Sequence, residues 1–269
     1  MSVYKSEKAE YLNQALKSVW DEQTLKPMEI ILVEDGPLGD DLLDVIDKFN
    51  SHLDGHLKIL VNEQNLGLTK SLNKGIGAVE GDYVARMDSD DISMPDRFDK
   101  QCRFLDSHPD IDVVGGSLQE FDSENQNLGV RNYPLTPDAV LSYVHKASPL
   151  AHPTVMIRRS IFDGGIKYDE RYRMSQDIAL WFDMLCSGCK IANLKDVTIL
   201  FRRDGDVFKR RSRMKAKNEF HIYMNGIRRL HGYFSWRYIY PIARYVFRMM
   251  PVGVVKAIYN CKLRKYILQ

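Results

Sequence analysis

Tyr83-Val84-Ala85-Arg86-Met87-Asp88-Ser89-Asp90-Asp91 is a short apolar run that stops at three carboxylates. Alternate residues of an extended chain share a face, so a strand ending in Asp88-x-Asp90 aims both carboxylates to one side. That pair suits a hard divalent cation, which takes one or two carboxylates and leaves its other positions to water and phosphate oxygens. A solvated acidic turn has the same composition, so the reading depends on what the rest of the chain sets beside it.

Toward the N-terminus, Met28 to Val33 is a continuous apolar run of the kind found in a buried parallel strand, and it ends in the turn Glu34-Asp35-Gly36-Pro37. Asp40 and Asp41 open a helix through Leu42, Leu43, Val45, Ile46 and Phe49. Leu57 to Val61 is the next strand, Asn62 to Gly67 a loop, and 68–78 a helix. Ser2-Val3-Tyr4 reads as the tail of a first strand, shortened at its start. A helix with Tyr11, Leu12, Ala15, Leu16 and Val19 on one face follows it. Strands alternating with helices predict an α/β fold with a mostly parallel central sheet flanked by helices. Ligands of such sheets sit beyond the carboxyl ends of the strands, so Tyr4, Asp35, Asn65 and Asp88 are expected to converge.

Toward the C-terminus, Pro95 is placed for the first turn of a helix. A strand is expected over 111–121, then a polar loop to about Pro137, and a strand over His152 to Ile157. Gly164 to Tyr172 is irregular. Gln176 to Ser187 is helical, with Asp177 at its N-terminus, where the helix dipole favours an anion by about 0.3–1 kcal/mol; a simple helix cap explains the same carboxylate. Short strands at Ile191 and 197–201 precede a charged loop over 202–211, and the chain is helical from about Ser212, with Pro241 and Pro251 breaking it into pieces.

Charged residues make up 28% of the 269 and hydrophobic ones 44%, ordinary globular values. The net charge of +2 hides an imbalance. Residues 1–200 hold 21 Lys+Arg against 33 Asp+Glu; residues 201–269 hold 17 against 3. Residues 233–269 interleave Trp236, Tyr238, Tyr240, Tyr245 and Phe247 with arginines and lysines, which suits the interface of an anionic membrane. A helical pair with a solvated cationic face is the plainer alternative. A nucleic-acid module would share the tail's composition, but the acidic body opposes a polyanion. Four cysteines and no secretory leader point to a reducing compartment, and Cys186-x-x-Cys189 lacks the second pair that a zinc site needs. No apolar run is long enough to span a membrane.

Ser2-Val3-Tyr4, Val33-Glu34-Asp35-Gly36, Asn65-x-Gly67-Leu68 with Ser71-x-Asn73-x-Gly75, Asp88-Ser89-Asp90-Asp91, His152-Pro153-Thr154, and Gln176-Asp177 before Trp181 recur in this order over about residues 1–205. Together they resemble the family-2 glycosyltransferases, inverting nucleotide-sugar enzymes of A-type fold, and most of all the bacterial members that build exopolysaccharide and O-antigen repeat units. The resemblance implies a glycosyltransferase domain over 1–205, its donor half about 1–120 and acceptor half about 121–205, with a basic loop and helical extension over 206–269. It implies that Tyr4 and Asp35 hold a uracil ring, that Asn65, Gly67 and Lys70 lie along the nucleotide, and that Asp88 and Ser89 face the ribose. Asp90, with Asp88, would bind Mn²⁺ or Mg²⁺, Asp177 would be the general base, and Asp91, His152 and Trp181 would lie at the acceptor. Lys209, Arg210 and Arg211 would close over the diphosphate. The family carries Glu-Asp where this chain has Gln176-Asp177, so a neighbouring charge is lost while the Asp is kept.

The implied partners are a nucleotide-sugar donor, a saccharide on a polyprenyl diphosphate and an anionic membrane surface, at the cytoplasmic face of a bacterial inner membrane, with no nucleic acid. Nucleotidyl transfer on a similar fold is the competing chemistry. It calls for a Gly-rich basic loop near the N-terminus, which is absent.

Overall fold

In the computed structural model, residues 1–122, 124, 126–203 and 213–250 are described. Chain contacts divide it into two units, Met1–Asp204 and Gly205–Gln269.

The first unit opens with β1 (Ser2–Val3), α1 (Ala9–Val19), β2 (Ile30–Asp35), α2 (Asp40–His52), β3 (Leu57–Asn62) and α3 (Leu68–Ile76). β2 and β3 pair in parallel from Ile30 opposite Leu57 to Asp35 opposite Asn62, and β1 pairs in parallel with the other edge of β2 at Val33 and Glu34. β1 is two residues long. The Met1 ammonium donates to the Ile31 carbonyl at 2.8 Å, and burial lowers its pKa to about 5.

There follow β4 (Tyr83–Ala85), β5 (Ile92–Ser93), α4 (Arg97–Ser107), β6 (Val113–Phe121), β7 (Asn127–Arg131), α5 (Pro137–Tyr143), β8 (Met156–Arg158), α6 (Arg159–Asp163), α7 (Gln176–Cys186) and β9 (Ile191–Arg202). They build a second sheet in the order β4-β8-β6-β9-β5, with β7 beside β6. The mostly parallel expectation holds for the first three strands. In the second sheet only β6 and β9 run parallel, while β4–β8, β6–β8, β6–β7 and β5–β9 are antiparallel. Parallel neighbours need crossovers of a dozen or more residues, and the short connection from β6 to β7 supplies none. A cavity of about 380 Å³, lined by Met1, Ile31, Val33, Leu72, Tyr83 and Met156 among others, lies between the two sheets.

Two further departures have local causes. β9 is one 12-residue strand where two short ones were expected. Its register against β6 shifts near Gly115–Leu118, and the bulge lets Lys195 and Asp196 turn to solvent, interrupting the apolar alternation. β7 falls in the expected polar loop because all five of its residues are exposed, which leaves no alternating pattern to read. The helix α5 does carry its signals: the Thr136 hydroxyl accepts from the Ala139 N–H, and Pro137 stands at the first helical position.

In the second unit, α8 (Arg213–His231) is followed by a 3-10 turn at Trp236–Tyr238 and by α9 (Ile239–Met249). α9 packs on α8 through an Arg248–Glu219 ion pair at 2.7 Å and the rings of Phe220 and Tyr245, 4.8 Å apart. Pro241 does not break this helix. It sits in the first turn, where a missing N–H has no partner to lose. Pro251 lies outside the described residues. Among the described residues no helix is long and apolar enough to cross a membrane.

Candidate functional site

The site is built at the ends of β2, β3 and β4. Asp35, the last residue of β2, is buried, and its two oxygens organise the loop after β3. Oδ1 accepts from the Leu66 N–H at 2.8 Å and from Asn62 Nδ2 at 3.1 Å; Oδ2 accepts from the Gly67 N–H at 2.9 Å. Asn65 Nδ2 donates back to the Asp35 carbonyl at 3.1 Å. Gly36 lies against this loop so closely that a Cβ would stand 2.7 Å from the Asn65 nitrogen, and its φ of +90° is one that side chains rarely adopt. Gly67, also at positive φ, turns the chain into α3. Tyr4, just past β1, is 46% exposed, and Lys70 on the first turn of α3 is exposed. The sequence groups Asp35, Asn65 and Gly67 correctly as neighbours. Asn62, which ties Asp35 to Ser71, goes unmarked by any motif.

Beyond β4, Asp88, Asp90 and Asp91 each offer a carboxylate oxygen within 4.8 Å of the others. Arg86 grips both oxygens of Asp88, Nη1 to Oδ2 at 2.8 Å and Nη2 to Oδ1. The alternation of the strand end sets Arg86 and Asp88 on one side, so this clamp is legible in the sequence. Ser89 donates to Glu7 Oε2 at 2.9 Å. Burial and the neighbouring Asp88 and Glu7 charges push Asp90 up to about 6, and burial with Asp88 and Asp90 beside it pushes Asp91 well above the usual carboxylate range. Asp91, expected at the acceptor, is fully buried beside the partly exposed Asp88 and Asp90. Its Oδ1 accepts from the Arg202 N–H at 2.9 Å, while Oδ2 is buried with no hydrogen bond. Three crowded carboxylates, with Asp90 and Asp91 raised in proton affinity and one oxygen orphaned, are a donor set that fits a hard divalent cation.

The charged loop expected over 202–211 begins with two arginines already committed to the fold. Arg202 ends β9, donates through Nε to the Asp90 carbonyl at 2.9 Å and through Nη2 to Gln14 at 2.6 Å, and lies over the rings of Tyr11 and Phe121. Arg203 pairs with buried Glu120 at 3.0 Å. Lys209, Arg210 and Arg211 lie outside the described residues. Behind the cluster, buried Arg97 of α4 donates to the Arg86 carbonyl at 2.8 Å, and burial lowers its pKa to about 9.

Asp177 occupies the first turn of α7, after Ser175 bends the chain at φ 63°, and is partly exposed. His152 Nε2 meets the Tyr168 hydroxyl at 2.6 Å, and burial holds His152 neutral, well below the usual histidine range. Asn73 of α3 fastens Tyr168 by its backbone, accepting from the N–H at 3.0 Å and donating to the carbonyl at 2.9 Å. Burial raises the Tyr168 hydroxyl above the usual tyrosine range. Tyr168, absent from every sequence motif, joins His152 to Asn73 of α3. Trp181, expected at the acceptor, is fully buried, with its ring edge-on to His152 at 6.0 Å, and reaches the site through His152.

Residues 1–165 match the family model described as "Glycosyl transferase family 2". The chain is 34% identical over 261 residues to the amylovoran biosynthesis glycosyltransferase AmsE of Erwinia amylovora, covering 97% of this chain and 96% of the relative. It is 28% identical over 274 residues to the UDP-Gal:alpha-D-GlcNAc-diphosphoundecaprenol beta-1,3-galactosyltransferase of Escherichia coli, covering 99% and 96%. Among solved structures, S. aureus TarS 1–349 in complex with UDP-GlcNAc superposes with a TM-score of 0.64 at 19% identity, covering 93% of this chain and 80% of that one. Mannosyltransferase PcManGT from Pyrobaculum calidifontis, in complex with GDP-Man and Mn²⁺, gives 0.64 at 14% identity, covering 96% and 78%. At these identities the structures speak for the fold alone.

Proposed function

The chain belongs to glycosyl transferase family 2 and has an A-type fold, and from that premise we propose that it moves a hexose from a UDP-sugar to a hydroxyl of a polyprenyl-diphosphate-linked saccharide, with inversion. The observation that carries the mechanism is the cluster of Asp88, Asp90 and Asp91, whose carboxylate oxygens lie within 4.8 Å of one another with one buried oxygen that lacks a hydrogen bond. The E. coli relative's name supports the donor nucleotide and the class of acceptor.

In this reading Tyr4 stacks on the base and the remaining lone pairs of Asp35 accept its imide hydrogen. Asn65, Gly67 and Lys70 lie along the nucleotide, and Asp88, steadied by Arg86, meets the ribose beside Ser89. Asp90, with Asp88 and the orphaned oxygen of Asp91, holds Mn²⁺ or Mg²⁺, which when bound neutralises charge on the leaving diphosphate. Asp177 takes the proton of the acceptor hydroxyl, a role typically contributing about 10² to 10⁴ in rate. One base suffices for a single displacement; a double displacement needs a second, nucleophilic carboxylate on the opposite face. Neutral His152, fixed by Tyr168, orients the acceptor. Reaction at the cytoplasmic face of a bacterial inner membrane follows from a lipid-linked acceptor.

Calorimetry tests the donor half. UDP binding is expected to require Mn²⁺ or Mg²⁺ and to be lost in Asp90→Ala; metal-independent binding would overturn the assignment. A panel of nucleotide sugars then names the donor.

A further inference from the structure

α9 is built inside out. Its exposed positions are Ile239, Ile242, Ala243, Val246 and Met249, an aliphatic stripe at helical spacing, with 41–61% exposure for the four larger side chains. Its basic side chains turn the other way: Arg244 lies over the Tyr223 ring at 4.7 Å, and Arg248 pairs with buried Glu219 of α8. A helix bathed on that side by water places these residues in the reverse order. The turn leading into α9 adds exposed rings, Tyr233 at 72%, Phe234 at 102% and Trp236 at 63%.

Charge selects what covers this face. Residues 213–250 carry eight Lys+Arg and one acid, Glu219, which is buried and paired. Every exposed charged residue among them, Arg213, Lys217, Arg228 and Arg229, is a cation. A second copy laid face to face would bring two such positive units together. An anionic lipid surface meets the stripe with acyl chains and the cations with headgroups.

We propose that the stripe Ile239–Ile242–Val246–Met249, with Phe234 and Trp236, docks in the interface of an anionic lipid bilayer, α9 lying in its plane. This deepens the reading of a lipid-linked acceptor by naming the surface that meets the membrane carrying it, and it is measurable without donor or acceptor.

The full chain is sedimented with vesicles of phosphatidylcholine and phosphatidylglycerol (3:1), and with phosphatidylcholine alone. The wild type is expected to pellet with the anionic vesicles, with a blue shift of Trp236 fluorescence, and to be released as salt screens the cations. The double variant Ile242→Glu, Val246→Glu alters only exposed positions and is expected to lower partitioning at least fivefold while its circular dichroism and its UDP affinity stay at wild-type values. Equal pelleting of the variant, or no pelleting of the wild type, overturns the proposal. So does a wild-type dimer in light scattering that this variant dissolves, since a second copy then covers the face. Loss of UDP binding in a chain that still pellets refutes the donor reading instead.

Discussion

In the proposed mechanism single side chains divide the work of the site. Asp177 at the start of α7 is its base and Asp90 in the carboxylate cluster its metal ligand, so substitutions there are expected to separate binding from turnover. Asp177→Asn is expected to leave UDP affinity within about twofold and to lower kcat by about 10²–10⁴, the usual worth of a positioned base; retained turnover assigns the base elsewhere. Asp90 leaves a signature in stability. With its folded pKa at about 6 and its unfolded value near an ordinary carboxylate's, the folded metal-free chain holds a proton that the unfolded chain has released. The associated stability is present below about pH 4 and is lost as pH rises through about 6. Asp90→Asn removes that loss. In urea unfolding with chelator present, the variant should gain about 1–3 kcal/mol on wild type between pH 4 and pH 7; a pH-independent difference would show that the carboxylate is not strained.

At the scale of elements, the junction of β6 with β9 is closely packed. Gly115 and Gly116 lie under side chains of β9. A Cβ on Gly115 would stand 2.2 Å from Asn193 Oδ1, and one on Gly116 would stand 2.5 Å from the Thr198 side chain. Asn193 is itself held, donating to the carbonyls of Pro134 and Pro149, so it has little room to move. Gly116→Ala is expected to cost about 1–3 kcal/mol through overpacking, lowering Tm by several degrees in calorimetry. An unchanged Tm would mean that β9 yields at its bulge. The adjacent Gly-Gly pair in an otherwise apolar strand was a readable sign of such close approach. The antiparallel docking of β4 on β8 was not, because Tyr83–Ala85 and Met156–Arg158 lie some seventy residues apart and neither carries a partner's address in its own pattern.

For the whole molecule, the two clusters of buried hydrophobic residues among the described residues lie within residues 1–203. A fragment ending at Arg203 is therefore expected to melt cooperatively on its own and to lose vesicle association. A non-cooperative melt would make the second unit a structural requirement. The acidic body and basic extension were plain in the sequence, because net charge needs no fold to be counted. The inverted orientation of α9 was not, since the helical period gives the angle between residues and not the side that faces α8.

By itself the sequence determined the N-terminal run of strands and helices, the placing of Asp35 at a strand end and of Asn65 and Asp88 past strand ends, and Asp177 on the first turn of a helix. These follow from periodicity and turn chemistry within a dozen residues. Tertiary structure alone decided that Asp91 is buried against Arg202, 111 residues away, and that Tyr168 is fastened to Asn73, 95 residues away. It also decided that Trp181 backs His152. A carboxylate's environment, and so its charge and its use, is set by which distant segments desolvate it and which donors they bring, and local pattern carries no record of either.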